Sequence, residues 1–352
     1  MKQPMLRAMA LMRRDFKQLP LSIKWITVIL SLYYVLWGLI DPFLPIYFNN
    51  LFGNYSQTAL VSAMLFIFAA MWSIPIGRLA DVLSKKTLIA LFLFMYLPFG
   101  PILALMRSVT QFMWFRLYHG FLSTGLWATS ETYVRAHSPS RQQVEVIGFL
   151  DSGLNAALAG GALIGGWVMM RWGIEPLFYT APFIIAGVFL LAVFFLPAHS
   201  GSSNWRHALP ELHPRALRRS VQDFWSRPKL VFLTWLVFLF GLSSAGVSAI
   251  LLPLFSTALG ATPFQVGIIY ALSLVPFMFE APLAVFVEYV SSRRVILLAG
   301  TASTLILGWL FFVHDIRWVF VASFFLGLAF AVMAPVLGGR ATGTMARRHL
   351  GE

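Results

Sequence analysis

Gly77-Arg78-Leu79-Ala80-Asp81-Val82-Leu83-Ser84-Lys85-Lys86 is a short charged turn between two apolar runs, each long enough to cross a bilayer. A small residue where an apolar run ends lets another helix approach closely. An acid followed by paired cations fixes a tight turn through hydrogen bonds and charge. On this reading Gly77 is a contact point, Asp81 an anchor, and Lys85 and Lys86 hold the turn at the membrane surface.

The composition around this turn is that of a polytopic all-α membrane protein. The 352 residues are 59% hydrophobic and 11% charged, with mean hydropathy +0.78, whereas globular chains carry about 25% charged residues. A net charge of +13 in a soluble protein would raise the question of nucleic acid. Here the cations sit between apolar runs, where they set orientation, so no nucleic-acid partner is expected. The absence of cysteine excludes disulfides, thiol catalysis and Cys-ligated metal, and the seven His show no metal-ligand spacing. No metal, cofactor or enzymatic nucleophile–base constellation is signalled.

Residues 1–22 form a basic tail with no cleavage site after the first apolar run, so that run serves as its own uncleaved signal. Apolar runs then recur at 23–48, 57–80, 87–106, 110–133, 144–170, 177–197, 230–256, 264–287, 295–313 and 318–338, which makes ten spans. Turns 49–56 and 257–263 carry no Lys or Arg, and the turns after the third, fifth and ninth spans carry one each (Arg107, Arg171, Arg317). The alternate segments hold nearly all the rest, so they are cytoplasmic by the positive-inside rule, as are both termini. The location this implies is the inner or plasma membrane. Between the sixth and seventh spans, 198–229 reads as a solvated linker with some helix near Ala216–Trp225.

Displacing the chain by 207 residues lays Gly53 on Gly260, Pro75 on Pro282, Asp81 on Glu288, Gly120 on Gly327, Arg141 on Arg348 and Glu145 on Glu352. These punctuating residues imply a duplicated six-span unit, 23–197 and 230–352, joined by the linker. Glu288, Arg293 and Arg294 are then the counterparts of the charged turn. In this register the counterparts of 146–197 are missing, leaving six plus four spans of an expected six plus six.

The turn resembles the signature G-x-L-A-D-[RK]-x-G-[RK]-[RK] between the second and third spans of the major facilitator superfamily. It matches at Gly77, Leu79, Ala80, Asp81, Lys85 and Lys86 and departs at Val82 and Ser84. The fourth span is similar to the family's Arg-x3-Gly at Arg116 and Gly120, with His119 where a Gln is common. Gly148, Gly161, Gly165 and Gly166 follow the fifth-span glycine pattern of family antiporters, with Ala157 and Ala162 in place of a Gly and a Pro. The resemblance implies a two-half helical bundle that transports by alternating access, with the charged turn as its cytoplasmic latch against the opposite half.

Ionisable groups inside a bilayer cost at least a few kcal/mol unless they face a cavity or a partner. Five stand out: Asp41, Arg116, Glu131, Asp151 and Glu280. Asp41 and Arg116 lie at similar depth and are expected either to pair structurally or to exchange partners when a proton arrives. Tyr34, Trp37 and Asp41 share one helical face, as do Arg116, Ser123, Trp127 and Glu131. Family geometry sets these stripes facing each other across a cavity suited to an amphiphilic or cationic substrate. Asp151 and Glu280 would meet where the fifth and eighth spans touch. Two carboxylates there cannot both be ionised cheaply, so one would hold a proton, unless each finds a separate neighbour. Pro276 and Pro282 suggest a kinked eighth span.

The expected function is proton-coupled secondary transport of a small molecule. Export is favoured by the acid in the first span and the partial glycine pattern in the fifth. The alternatives are a metabolite or sugar importer, and a truncated, non-transporting remnant. Nothing implies an oligomer.

Overall fold

The computed structural model describes residues 20–138, 143–197, 213–280, 283 and 291–349. All regular elements among them are helical. The first span runs from Leu21 to Phe52, as α1 (Leu21–Ile40), a 3-10 turn at Asp41–Phe43, and α2 (Leu44–Phe52). Pro42 and Pro45 lack the N–H groups a continuous helix would use, which accounts for the break. α3 (Tyr55–Val82) is the second span. The third is divided at Leu97-Pro98 into α4 (Lys85–Tyr96) and α5 (Phe99–Leu105). α6 (Val109–His137), α7 (Gln143–Trp172) and α8 (Glu175–Phe195) complete the first half.

In the second half, α10 (Pro228–Ala245), a π turn at Gly246–Leu251 and α11 (Leu252–Ala258) make the seventh span. α12 (Pro263–Leu274) and a 3-10 turn at Val275–Phe279 begin the eighth, and α13 (Ser292–Leu310) and α14 (Ile316–His349) are the ninth and tenth. Eight of the ten are long and apolar enough to cross a membrane by themselves. The fourth falls short because Arg116, His119 and Glu131 interrupt it, and the described apolar stretch of the eighth is Pro263–Phe279, shorter than the others. In the linker, α9 (Pro214–Trp225) is helical, as expected near Ala216–Trp225. Residues 1–19, 198–212 and Glu352 lie outside the described residues.

Positions related by the 207-residue displacement do matching work. Gly53 and Gly260 each end the first span of a half with positive φ, 63° and 83°, which a side chain would strain. Ser108 caps α6 through a capping box with Gln111, and its counterpart Asp315 accepts the Arg317 N–H before α14. Gly120 sits against the Phe68–Ala69 backbone of α3, and Gly327 against Ser273 of α12. The expected two-half helical bundle is therefore the architecture observed.

The halves meet along α7 and α12. A Cβ at Gly166 would stand 2.8 Å from the Pro263 carbonyl oxygen, and one at Gly267 would run into the Ala162 carbonyl. This seam lies toward the end opposite the charged turn. The 3-10 turn at Asp41–Phe43 adds contacts to α12 and to the π turn, and α2 touches α11. Exposed Trp114, Trp167, Trp172, Trp309 and Trp318 cluster at that same end, the aromatic belt of one membrane–water boundary.

Candidate functional site

Asp41 sits at the break in the first span, partly buried, where α1 gives way to the 3-10 turn. Arg116 is buried one helical turn before Gly120, at 3% exposure. They lie in each other's electrostatic field but form no ion pair. Arg116 is satisfied elsewhere. Its Nε donates to the Val61 carbonyl at 3.2 Å, a guanidinium nitrogen donates to His119 Nδ1 at 3.0 Å, and its carbon lies 5.2 Å from the centre of the Phe48 ring. Because arginine can only donate, His119 carries its lone pair on Nδ1 and a proton on Nε2. The expected structural pair is thus replaced by an arginine held within its own half, and Asp41 is left beside Tyr270 of α12.

The two stripes meet only in part. Tyr34 and Trp127 approach with ring centroids 6.3 Å apart. Trp37 turns inward instead: it stacks on His119 at 4.6 Å and 9°, with Tyr96 and Phe99 at its edges. A bulky ring at that register fills the space between the first, third and fourth spans, so Trp37 is core rather than cavity lining. Ser123 lies beside the buried Tyr96 hydroxyl. Glu131 is half-exposed and bonded to Arg135 at 2.5 Å, one helical turn on.

Asp151 and Glu280, both partly buried, are within electrostatic reach of each other, and Glu131 is a third acid in range. Tyr34 is also near Asp151. Two rings, Tyr34 and Trp127, and three carboxylates therefore share one region, with Tyr270 bridging toward Asp41. Sequence reasoning did not single out Tyr270 or the Arg116-binding role of His119. Tyr270 is a polar-tipped ring near mid-depth of an apolar span, and that was the available signal.

In the charged turn, Asp81 is exposed and its carboxylate forms no ion pair among the described residues. Lys85 and Lys86 open α4, and Leu79 packs on the core of the first half. A Cβ on Gly77 would meet nothing within 4 Å. The expectation that another helix lies against Gly77 is not met here: its flank is open. Arg293 and Arg294, at the start of α13, are exposed. Glu288, Pro282 and Arg141, and the side chains of Glu145 and Arg348, lie outside the described residues.

The sequence pattern of the Major Facilitator Superfamily matches residues 26–352. The chain belongs to this superfamily. Among superfamily proteins, it is 24% identical over 311 residues to the multidrug resistance protein MdtG of Citrobacter koseri, a match covering 85% of this chain and 74% of that protein. It is 26% identical over 160 residues to the uncharacterized MFS-type transporter MJ1560 of Methanocaldococcus jannaschii, covering 46% of this chain and 41% of that one. The crystal structure of the human organic anion transporter MFSD10 (TETRAN) superposes with a TM-score of 0.63 at 18% identity, over 90% of this chain and 84% of that one. This last likeness is one of fold. As a superfamily member the chain is a multi-pass membrane protein of a family that carries small molecules.

Proposed function

We propose that this chain is a secondary active transporter that moves a small amphiphilic cation by alternating access, coupled to protons and directed outward across the cell membrane. The observation that carries the reading is the grouping of Asp151, Glu280 and Glu131 with Tyr34 and Trp127 in the region between the halves. Carboxylates at that depth attract a cation, and the ring faces offer it a favourable, partly dry surface. Asp41 is the proton site in this reading. It sits at a helix break without a salt bridge, while Arg116 is held by Val61 and His119. The name of the C. koseri relative, a multidrug resistance protein, supports export.

With the basic turns in the cytoplasm, the seam through Gly166 and Gly267 closes the outer side, and the half-exposed Glu131 and open Gly77 belong to an inner side that is parted. Asp81 engages the opposite half in the alternate conformation, when the space beside Gly77 is filled. The test is transport of tetraphenylphosphonium by proteoliposomes with and without an imposed pH gradient. Gradient-driven movement, lost in Asp41→Asn and weakened in substrate affinity by Asp151→Asn or Glu280→Gln, is the expected result. Unaltered gradient-driven transport by Asp41→Asn refutes the proton role. Movement of an organic anion in place of the cation refutes the substrate class.

A further inference from the structure

On the basic face, away from the acidic region, the starts of the first and third spans meet the end of the sixth around a crevice of about 380 Å³. Its walls include Leu21, Ser22 and Trp25 of α1, Lys86 of α4, and Phe194 and Phe195 of α8. Trp25 and Phe195 stack at 4.1 Å, forming a flat aromatic floor. Leu21 and Phe194 are 68% and 74% exposed on its outer side, so the crevice is continuous with the space lipid tails occupy.

The polar side has a different character. Among the described residues, Lys86 has no ion pair and Ser22, at 7% exposure, has no side-chain hydrogen bond, and both residues line the crevice. Both residues lie in the first turn of a helix, where N–H groups lack intrahelical partners. Ser84, the N-cap residue of α4, makes no side-chain cap bond, and neither does Pro20 for α1. Two helix starts, an ammonium and an unpaired hydroxyl thus converge on one spot, which is chemistry for a compact anion rather than a cation.

We propose that this crevice binds the phosphate of an anionic phospholipid, with the headgroup between Lys86 and Ser22 and the acyl chains along Leu21 and Phe194. The charge complements the site, and the opening faces the lipid phase. The occupant also places a membrane component directly on the Gly77–Lys86 turn. The proposal is independent of the transport reading, because it concerns binding and needs no substrate.

The test is native mass spectrometry of the full chain titrated with dioleoyl phosphatidylglycerol or dioleoyl phosphatidylcholine. The expected result is at least a tenfold preference for phosphatidylglycerol, which is reduced to near unity in Lys86→Gln and weakened in Ser22→Val. Lys85→Gln removes the same charge from the same turn outside the crevice and retains the preference. Excess inorganic phosphate distinguishes the source: lack of competition supports a lipid, whereas full displacement by phosphate overturns the lipid in favour of a soluble phosphate. Equal binding of both lipids by the wild-type chain, or equal loss in Lys85→Gln and Lys86→Gln, overturns the site.

Discussion

Gly267→Ala is the smallest change that should alter which side of the molecule is closed. The added Cβ runs into the Ala162 carbonyl and comes within 3.2 Å of its carbon and 3.5 Å of Gly166 Cα, all backbone atoms that cannot rotate away. Inserting a methyl into such a contact costs about 1–3 kcal/mol. Alanine improves helix propensity over glycine by about 1 kcal/mol, but α12 is helical in either conformation, so that gain does not favour one state. If the cost falls only on the closed seam, the ratio of closed to open molecules drops by about 5- to 150-fold. The chain has no cysteine, so a spin-label pair at Asn50→Cys and Ala258→Cys, both exposed beyond the seam, reads the distance by pulsed electron resonance. The expected result is a shift of the distribution toward longer distances in Gly267→Ala. Gly160→Ala on α7, whose Cβ would meet nothing within 4 Å, serves as the control. An unchanged distribution in Gly267→Ala, or an equal shift in Gly160→Ala, would refute the reasoning.

Gly161→Ala places its Cβ against the Val35 carbonyl and Gly38, inside one half; it should lower thermal stability by about 1–3 kcal/mol in differential scanning fluorimetry while leaving the spin-label distances unchanged. His119→Gln keeps an acceptor for Arg116, whereas His119→Phe retains stacking on Trp37 but removes that acceptor. Phe should therefore cost about 1–3 kcal/mol more than Gln in the same assay, through a buried charge left short of a partner. Glu131→Gln breaks a half-exposed pair one helical turn apart and should change stability by no more than about 0.5 kcal/mol. If Glu131 belongs to the substrate region, its effect appears in the apparent affinity of transport.

The spans and their order were legible because bilayer crossing imposes length and apolarity on every segment, and because glycine and capping residues punctuate both halves alike. Gly53 with Gly260 and Ser108 with Asp315 show that the punctuation carries the same backbone roles twice. The site was legible only in its ingredients. Helical spacing put Tyr34 and Trp37 on one face, and Tyr34 approaches Trp127, but spacing could not decide that Trp37 would turn into the core, since that depends on Tyr96, Phe99 and His119 arriving from other spans. Depth alone suggested that Asp41 and Arg116 would meet. The competing partners, a backbone carbonyl at Val61 and a ring nitrogen at His119, are invisible to a count of charges. Tyr270 was missed because its significance comes from the other half of the molecule.

Three of the spans that meet between the halves are jointed part-way along: at Asp41–Phe43, at Gly246–Leu251 and at Val275–Phe279. The nine residues of α2 form a lever ~13 Å long, so bending by ~15° at Asp41 would swing its tip, Gly53, by ~3.5 Å. A passage built this way can unseal by flexing its outer tips while the shafts below stay put. Access and the rotation of whole halves are then separable events, and a molecule whose spans bend in this way can pass through a state with both ends shut.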